Sequence, residues 1–254
     1  MPERKPVAQS ACMRYLYDGS LAGFYCCVHR SFYAREIPLA VCPSGEAQPC
    51  MWPEVIIDTD EVLARRICAG IRAKLSARVS ELIENVFFSC LQEKEAAILR
   101  FLHRAFEVGP KIAGMLGNED VSPLLKAELH LHRESHLFLG FVRFQDTGGA
   151  LTATISPKNF VLPYIANHFI CRFSGENFMI YDKTHNAALI YENRKKQIIR
   201  AEGLVPPPPT ADEQYYRSLW KQFYDTIAIT ARENPRCRMT HMPKRFWENL
   251  TEMQ

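Results

Sequence analysis

The chain has 254 residues, of which 47% are hydrophobic and 23% charged, a composition typical of a folded globular protein rather than a disordered one. No apolar run reaches the roughly 18 to 20 residues that a membrane helix needs, and the first residues, MPERKPVAQSAC, lack the apolar segment of a secretory signal, so we expect a cytoplasmic protein. The formal net charge of +3 permits a polyanionic partner without requiring one.

The first part of the chain alternates between strand, helix and loop patterns. Residues 14–20, RYLYDGS, predict a short strand that runs into an Asp-Gly turn, and residues 21–35 predict an aromatic-rich helix. Residues 36–53 contain four prolines and a glycine and are typical of a loop. The run EVIIDTD then predicts a strand, after which Asp58 or Thr59 is expected to cap a helix.

From residue 60 to about residue 116 the hydrophobic spacing is helical, and a further helix is predicted over residues 123–138. Beyond it the period changes to that of strands, in the runs GFVRFQ, GALTATISP, FMIYDK, AALIYE and KQIIRAE. These short runs predict an antiparallel sheet, with VLPYIANHFICRF as a helix or an extended insert inside it.

Four prolines at 206–209 form a stiff spacer, and Thr210 followed by Glu213 is a capping-box signature for the next helix. The fold class predicted is α+β: a helix-rich N-terminal half packed on a small antiparallel sheet, with a C-terminal helix and tail. Three parts are expected within one integrated domain. They are a mainly helical part (12–139), a β-rich part (140–205), and the proline spacer with the C-terminal helix and a basic, aromatic tail (206–254).

The junction HRESHLFLGFVRF places His132 and His136 on one helix face. His130 lies about 160° from His132 and about 120° from His136 around the helix and cannot easily supply a third metal ligand, so no metal site is expected. His136 is either a general base or phosphate ligand, or a cap at the helix C-terminus with Gly140 ending the helix. Arg143 is expected on the following strand, facing away from its apolar side. There it is either solvated or directed into a groove, where its planar guanidinium would suit a phosphate.

His168 and Arg172 form a second basic pair, four residues apart, if their segment is helical. His168 is either a buried histidine bonded to a backbone carbonyl or part of a site. If His136 and His168 converge, and Asp182 orients one of them, an acid/base or phosphodiester-cleaving centre becomes possible.

The segment FLHRAFEVGPKIAGML has two interpretations. In the first it forms a helix, a glycine-containing hairpin and a second helix, which is similar to the helix-hairpin-helix element that holds a backbone phosphate. Glu107 stands where that element has its first hairpin glycine, and its carboxylate would repel phosphate. The alternative is an ordinary junction, in which Gly109 ends one helix and Pro110 begins the next.

The C-terminal tail interleaves cations with aromatic rings, a pattern that suits a strand of nucleic acid because cations bind phosphates and rings stack on bases. The alternative is that the rings anchor the tail to the core while its charges are solvated. The residues concerned are Arg236, Arg238, Lys244, Arg245, Phe246 and Trp247.

Seven motifs spread along the chain together resemble a bacterial family assigned to DNA metabolism. In chain order they are YLYDGS, IRAKLS, FEVGPKI, RESHLFLGFVRF, VLPYIANHF, TIAITARENPR and MPKRFW. In that family this domain of unknown function occurs alone or fused to a uracil-DNA glycosylase-like domain, and it is encoded beside a DNA-repair radical-SAM protein. The resemblance implies a role in DNA repair, with DNA, the radical-SAM protein and the glycosylase-like protein as partners.

The sequence therefore favours a nucleic-acid-binding accessory protein in DNA repair. Two alternatives stay open: a metal-independent enzyme acting on nucleic acid through His136 and His168, and a protein–protein adaptor that docks through its aromatic tail. The chain lacks a P-loop, a dinucleotide fingerprint and the G-x-S-x-G and H-E-x-x-H motifs, so ATPase, dehydrogenase, common esterase and zincin functions lose their usual support. Its nine cysteines include no C-x-x-C pair, which disfavours a zinc ribbon or an iron–sulfur site, and no cofactor is expected.

Overall fold

The computed structural model describes residues 9–47 and 49–253. The α-helices are α1 (Leu21–Ala34), α2 (Glu61–Lys74), α3 (Ala77–Phe87), α4 (Lys94–Val108), α5 (Ser122–Phe141), α6 (Leu162–Arg172), α7 (Ala211–Ile227) and α8 (Pro235–His241). The strands are β1 (Gln9–Tyr17), β2 (Glu36–Pro43), β3 (Glu54–Ile56), β4 (Gln145–Asp146), β5 (Leu151–Ile155), β6 (Phe178–Asp182), β7 (Ala187–Glu192) and β8 (Lys195–Arg200). The predicted α+β class is confirmed.

The chain divides into two compact units, one ending at Leu131 and the other beginning at His132. The first unit contains a three-stranded parallel sheet in the order β2-β1-β3. Its core combines buried aromatic residues of β1 and α1 with aliphatic residues of α3 and α4. Among the helices of the described residues, none is long and apolar enough to cross a membrane.

The prediction of a loop over residues 36–53 is wrong for residues 36–43, because these residues form β2, which pairs in parallel with β1. Prolines normally interrupt a strand, since they cannot donate to the hydrogen-bond ladder. Here β2 is an edge strand, where a proline can leave its missing donor on the unpaired side. Pro38 lies beside a register shift in β1, and Pro43 ends the strand.

Helix α2 begins one residue later than the capping prediction requires. The carboxylate of Asp60 accepts hydrogen bonds from the backbone N–H groups of Val62 (2.8 Å) and Leu63 (3.0 Å). Asp60 is therefore the N-cap, and neither Asp58 nor Thr59 fills that position. The two backbone hydrogen bonds lower the pKa of Asp60 because they favour its charged form.

The segment after α4 does not form the second helix of a helix-hairpin-helix element. Helix α4 ends at Gly109, which has a φ of 89° and suits the left-handed region that glycine tolerates. The following residues, Pro110–Gly114, form a short 3-10 helix. Helix termination at Gly109 is the interpretation that the structure supports.

The second unit contains a five-stranded sheet in the order β4-β5-β6-β7-β8. Three of its four strand pairs are antiparallel, as predicted, and β5 pairs with β6 in parallel. The parallel pair follows from α6, which is helical and connects the two strands as a crossover.

Helix α5 continues to Phe141, so the strand predicted from Gly140 onward is wrong over its first residues. Phe138 and Phe141 lie one helical turn apart, and their rings lie 5.0 and 4.9 Å from the ring of Phe246. The helical spacing lets both phenylalanines pack against the same partner, which stabilises the extra turn. Arg143 consequently lies in an irregular connection before β4, and not on a strand.

The predicted cap of α7 is confirmed, because the hydroxyl of Thr210 accepts a hydrogen bond from the backbone N–H of Glu213 at 3.2 Å. The carboxylate of Glu213 accepts instead from the backbone N–H of Asp146 at 3.3 Å. The backbone N–H of Thr210 donates to the carbonyl oxygen of Asp146, also at 3.3 Å. The start of α7 is thus attached to β4.

One prediction concerns the close packing around Gly23, in the first turn of α1, against the turn after β1 and the residue pair before α2. A methyl group added at Gly23 would lie 2.3 Å from Oδ1 of Asp18 and 2.7 Å from Oγ1 of Thr59. We expect Gly23→Ala to lower the free energy of unfolding by about 1–3 kcal/mol, measured by urea denaturation. The matched control is Gly70→Ala in α2, where a methyl group meets nothing within 4 Å and should raise stability by about 0.5–1 kcal/mol. Equal effects of the two changes would contradict the close packing.

Candidate nucleic-acid interface

The second unit contains a buried carboxylate on α5. Glu134 on α5 is only 1% exposed, and it lies on the same helix face as the buried residues Leu131 and Phe138. Its oxygens accept hydrogen bonds from the backbone N–H groups of Lys158 (3.1 Å) and Asn159 (2.7 Å) and from the Asn159 side chain (2.5 Å). These three donors come from the connection between β5 and α6.

The fourth donor to Glu134 is Arg245, from the 3-10 helix Lys244–Asn249, with Nη1 at 2.5 Å from Oε1. The same guanidinium lies 4.6 Å from the ring centre of Phe246, which is itself buried. The motifs RESHLFLGFVRF and MPKRFW therefore meet through an ion pair and a ring contact. Arg245 and Phe246 anchor the tail to the core.

Arg143 also forms an ion pair with a carboxylate of the C-terminal segment. Its Nη2 lies 2.7 Å from Oε1 of Glu252, and its Nη1 donates to the carbonyl oxygen of Gly140 at 2.8 Å. Burial alone would raise the pKa of Glu252, but the hydrogen bonds from Arg143 and from Trp220 favour the carboxylate, and the pKa is lowered. An arginine with this partner has less free positive charge to offer a phosphate.

Two of the other tail cations lie near the ring of Trp247. The guanidinium of Arg238 and the ammonium of Lys244 lie 5.6 and 5.9 Å from its ring centre, within the range of cation–π attraction. The indole N–H of Trp247 donates to the carbonyl oxygen of Met242 at 2.9 Å, and the ring is half-buried. Arg236, on α8, is exposed.

The predicted acid/base residues lie at three places in the second unit. His136 is exposed on α5, five residues before the helix ends, so the interpretation of His136 as a C-terminal cap is wrong. His168 is exposed on α6, so the interpretation of His168 as a buried histidine is also wrong. Asp182 is fully buried at the end of β6. Among the described residues, no hydrogen bond joins either histidine to Asp182, and their joint catalytic role stays a prediction.

Asp182 orients a different histidine. One of its oxygens accepts from the backbone N–H groups of Thr184 (3.0 Å) and His185 (3.1 Å), and the other lies 2.6 Å from Nδ1 of His185. An imidazole fixed through Nδ1 leaves Nε2 for another partner, an arrangement that can support proton transfer. The sequence signal was the spacing D-K-T-H in a hairpin turn, and His185 is not among the predicted site residues.

Cations without a carboxylate partner occur where α6 lies beside β8. Helix α6 buries Leu162, Ile165, Ala166 and Phe169 and exposes its opposite side, which carries Asn167, His168 and Arg172. The ammonium of Lys196 on β8 donates to Oδ1 of Asn167 at 2.9 Å, so the strand and the exposed side of the helix form one surface.

Alternation along β8 places Lys196 and Arg200 on the same side of the strand, and every residue of β8 is exposed. We call His168, Arg172, Lys196 and Arg200 the α6–β8 surface. Among the described residues none of these four side chains forms an ion pair with a carboxylate. Arg194 and Lys195 extend the charge run NRKKQIIR at one end, and this run is the sequence signal that was missed.

The second unit is thus an α+β structure with a buried ion pair and an uncompensated basic surface. The comparison with protein families matches residues 92–252 to DUF4130, described as a domain of unknown function. The match covers more than half of the chain, and the chain belongs to this family, in agreement with the expected domain of unknown function. No curated protein and no solved structure matches the chain.

Removing the guanidinium from Arg245 should strongly destabilise the second unit. Arg245→Ala leaves the buried Glu134 without its cation, and a buried charge that loses its partner typically costs about 3 kcal/mol or more. We expect that loss in urea denaturation followed by circular dichroism. Arg236→Ala, at an exposed position on α8, is the matched control and should change stability by less than about 0.5 kcal/mol. Similar effects of the two substitutions would contradict a structural role for Arg245.

The Arg143–Glu252 pair predicts a pH-dependent stability. Because the pKa of Glu252 is lowered in the folded protein, its contribution is present above its usual value of 4.5 and is lost as the pH falls through the folded value. We expect Glu252→Gln to destabilise the protein by about 1–3 kcal/mol at neutral pH, and the difference from the unsubstituted protein to shrink on acidification.

Urea denaturation at a series of pH values measures this difference. Glu248→Gln is the control, because Glu248 pairs with Lys183 at 3.0 Å and both side chains are 61% exposed. A difference for Glu252→Gln that does not change with pH would exclude the carboxylate as its cause.

Proposed function

We propose that this chain is a nucleic-acid-binding protein that acts in DNA repair as an accessory to a radical-SAM protein and a uracil-DNA glycosylase-like activity. The binding part of the proposal rests on one observation, the α6–β8 surface with its uncompensated cations. The repair context and the two partner proteins rest on the resemblance of the sequence motifs.

The difference between paired and unpaired cations decides where phosphates would bind. Arg143 and Arg245 each face a buried carboxylate, so their charge is already balanced inside the fold. Arg172, Lys196 and Arg200 are exposed and lack such a partner among the described carboxylates. When phosphates bind to exposed cations without a carboxylate partner, counterions are released from the nucleic acid, and this release is the main source of non-specific affinity.

The tail also supports the proposal, but less strongly than the α6–β8 surface does. Arg236, Arg238 and Lys244 remain candidates for phosphate contacts, because none of them forms an ion pair with a described carboxylate. Trp247 is half-buried and already covered by two cations, so it has less free ring surface for a base. His168 would add positive charge to the α6–β8 surface only when protonated.

Titration of labelled DNA at about 50 and 200 mM salt, followed by fluorescence anisotropy, tests the proposal. We expect binding at low salt that weakens steeply at high salt. Arg172→Ala and Lys196→Ala should each weaken binding and reduce the slope of log affinity against log salt by about one, because each removes one phosphate contact.

The control is Arg104→Ala, which removes the same charge from a 49% exposed arginine that is paired with Glu107 in the first unit. It should leave the slope unchanged. No binding at low salt, or binding that does not respond to salt, would contradict the proposal. Co-purification of a protein partner that survives high salt and nuclease would favour the adaptor alternative.

A further inference from the structure

An open groove runs along α7 in the second unit. It has a volume of about 760 Å³, within the range of pockets that accept small aromatic molecules. Its lining includes Phe144, Tyr216, Trp220 and Phe223, with Arg143 and Arg217 also among the lining residues. We call it the α7 groove.

The aromatic side of α7 is exposed to solvent. Tyr216, Trp220 and Phe223 recur at helical spacing and share one face, and they are 65%, 46% and 52% exposed. None of the described side chains of α7 is buried. Three exposed rings on one helix face are unusual for a solvated surface and indicate a binding site for a ligand or a partner.

The cations of the α7 groove are balanced by neighbouring groups. Arg217 donates to Glu213 at 2.8 Å and to the side-chain oxygen of Gln145 at 2.6 Å, and Arg143 pairs with Glu252. The groove therefore has little free charge for a phosphate. Flat rings with balanced charge suit a flat, aromatic and largely uncharged group, such as a nucleobase.

Phe144 joins the α7 groove to the end of α6. Its ring lies 5.3 Å from that of Phe169 and 4.9 Å from that of Phe173. The guanidinium of Arg172 lies 5.9 Å from the ring centre of Phe173. A phosphate on Arg172 would thus lie only a few side chains from the groove.

We infer that the α7 groove binds unstacked nucleobases, and that the preferred ligand is single-stranded nucleic acid rather than duplex. The inference rests on the proposed function, because the phosphates of the same strand would bind the α6–β8 surface. In a duplex the faces of the bases are stacked on each other, whereas in a single strand they are available to aromatic side chains.

The test compares a single-stranded oligothymidylate of about 16 nucleotides with a duplex of the same length. Trp220→Leu and Phe223→Leu keep an apolar side chain and remove the ring. Each should weaken single-strand binding by roughly 5- to 150-fold, the range expected for loss of one stacked base, and change duplex binding much less. The unsubstituted protein should bind the single strand more tightly than the duplex.

The matched control is Trp52→Leu, which removes an indole of similar exposure, 45%, from the first unit. It should leave both affinities unchanged. Circular dichroism and urea denaturation establish that the variants are folded, and Phe223→Leu serves as a second probe should Trp220→Leu unfold, since Trp220 also contacts Glu252 at 3.4 Å.

The outcomes separate the inference from the proposed function. Salt-dependent binding that prefers duplex, or that is unaffected by both substitutions, overturns the inference and leaves the proposed function standing; the groove would then be open to a protein partner. Absence of salt-dependent binding to either ligand overturns both. Loss of single-strand affinity in the two α7 variants, with the control unaffected, supports both.

Discussion

The second unit depends on the burial of one charge, the carboxylate of Glu134. Removing a carboxylate from water is costly unless hydrogen bonds and an opposite charge replace the lost hydration. Glu134 obtains these from the β5–α6 connection and from Arg245, which lies 111 residues further along the chain. The positions of α5, that connection and the C-terminal segment are therefore coupled, since displacing any of them leaves a buried charge without a partner.

This coupling changes the functional meaning of the basic residues. Counting cations along the sequence draws attention to Arg143 and Arg245, because both lie in motifs rich in charge and aromatic rings. In the folded chain each is balanced by a buried carboxylate, and Phe246 beside Arg245 packs into the core. Among the described residues, cations without a carboxylate partner lie on α6 and β8 as well as in the tail. His168 and Arg172 on α6 stand out in the sequence as a basic pair, whereas the run that forms β8 predicts only a strand. A basic motif indicates a binding surface only when its charges are not already neutralised within the fold.

Much of the fold was predictable from local signals. Helical spacing identified α2 to α4 and α7, and the Thr210 signature identified the cap of α7, because both depend on residues close together in sequence. The errors occurred where a distant contact overrides the local pattern. Strand β2 tolerates its prolines because it lies at a sheet edge, and α5 continues past Gly140 because Phe141 packs on Phe246. The partner of Asp182 was missed for a different reason: His185 is only three residues away, and the turn that follows β6 brings its ring onto the carboxylate.

Amide hydrogen exchange of the full chain, with and without a saturating single-stranded oligonucleotide, tests most directly which basic residues bind nucleic acid and which only stabilise the fold. If the α6–β8 surface and the α7 groove bind nucleic acid, the ligand should slow exchange in residues 167–172, 194–200 and 216–223. Residues 243–250, which contain Arg245, should exchange slowly in the free protein and change little on binding, because their contacts are internal. Protection confined to residues 235–250, with no change at α6 and β8, would contradict this division and return the binding role to the tail.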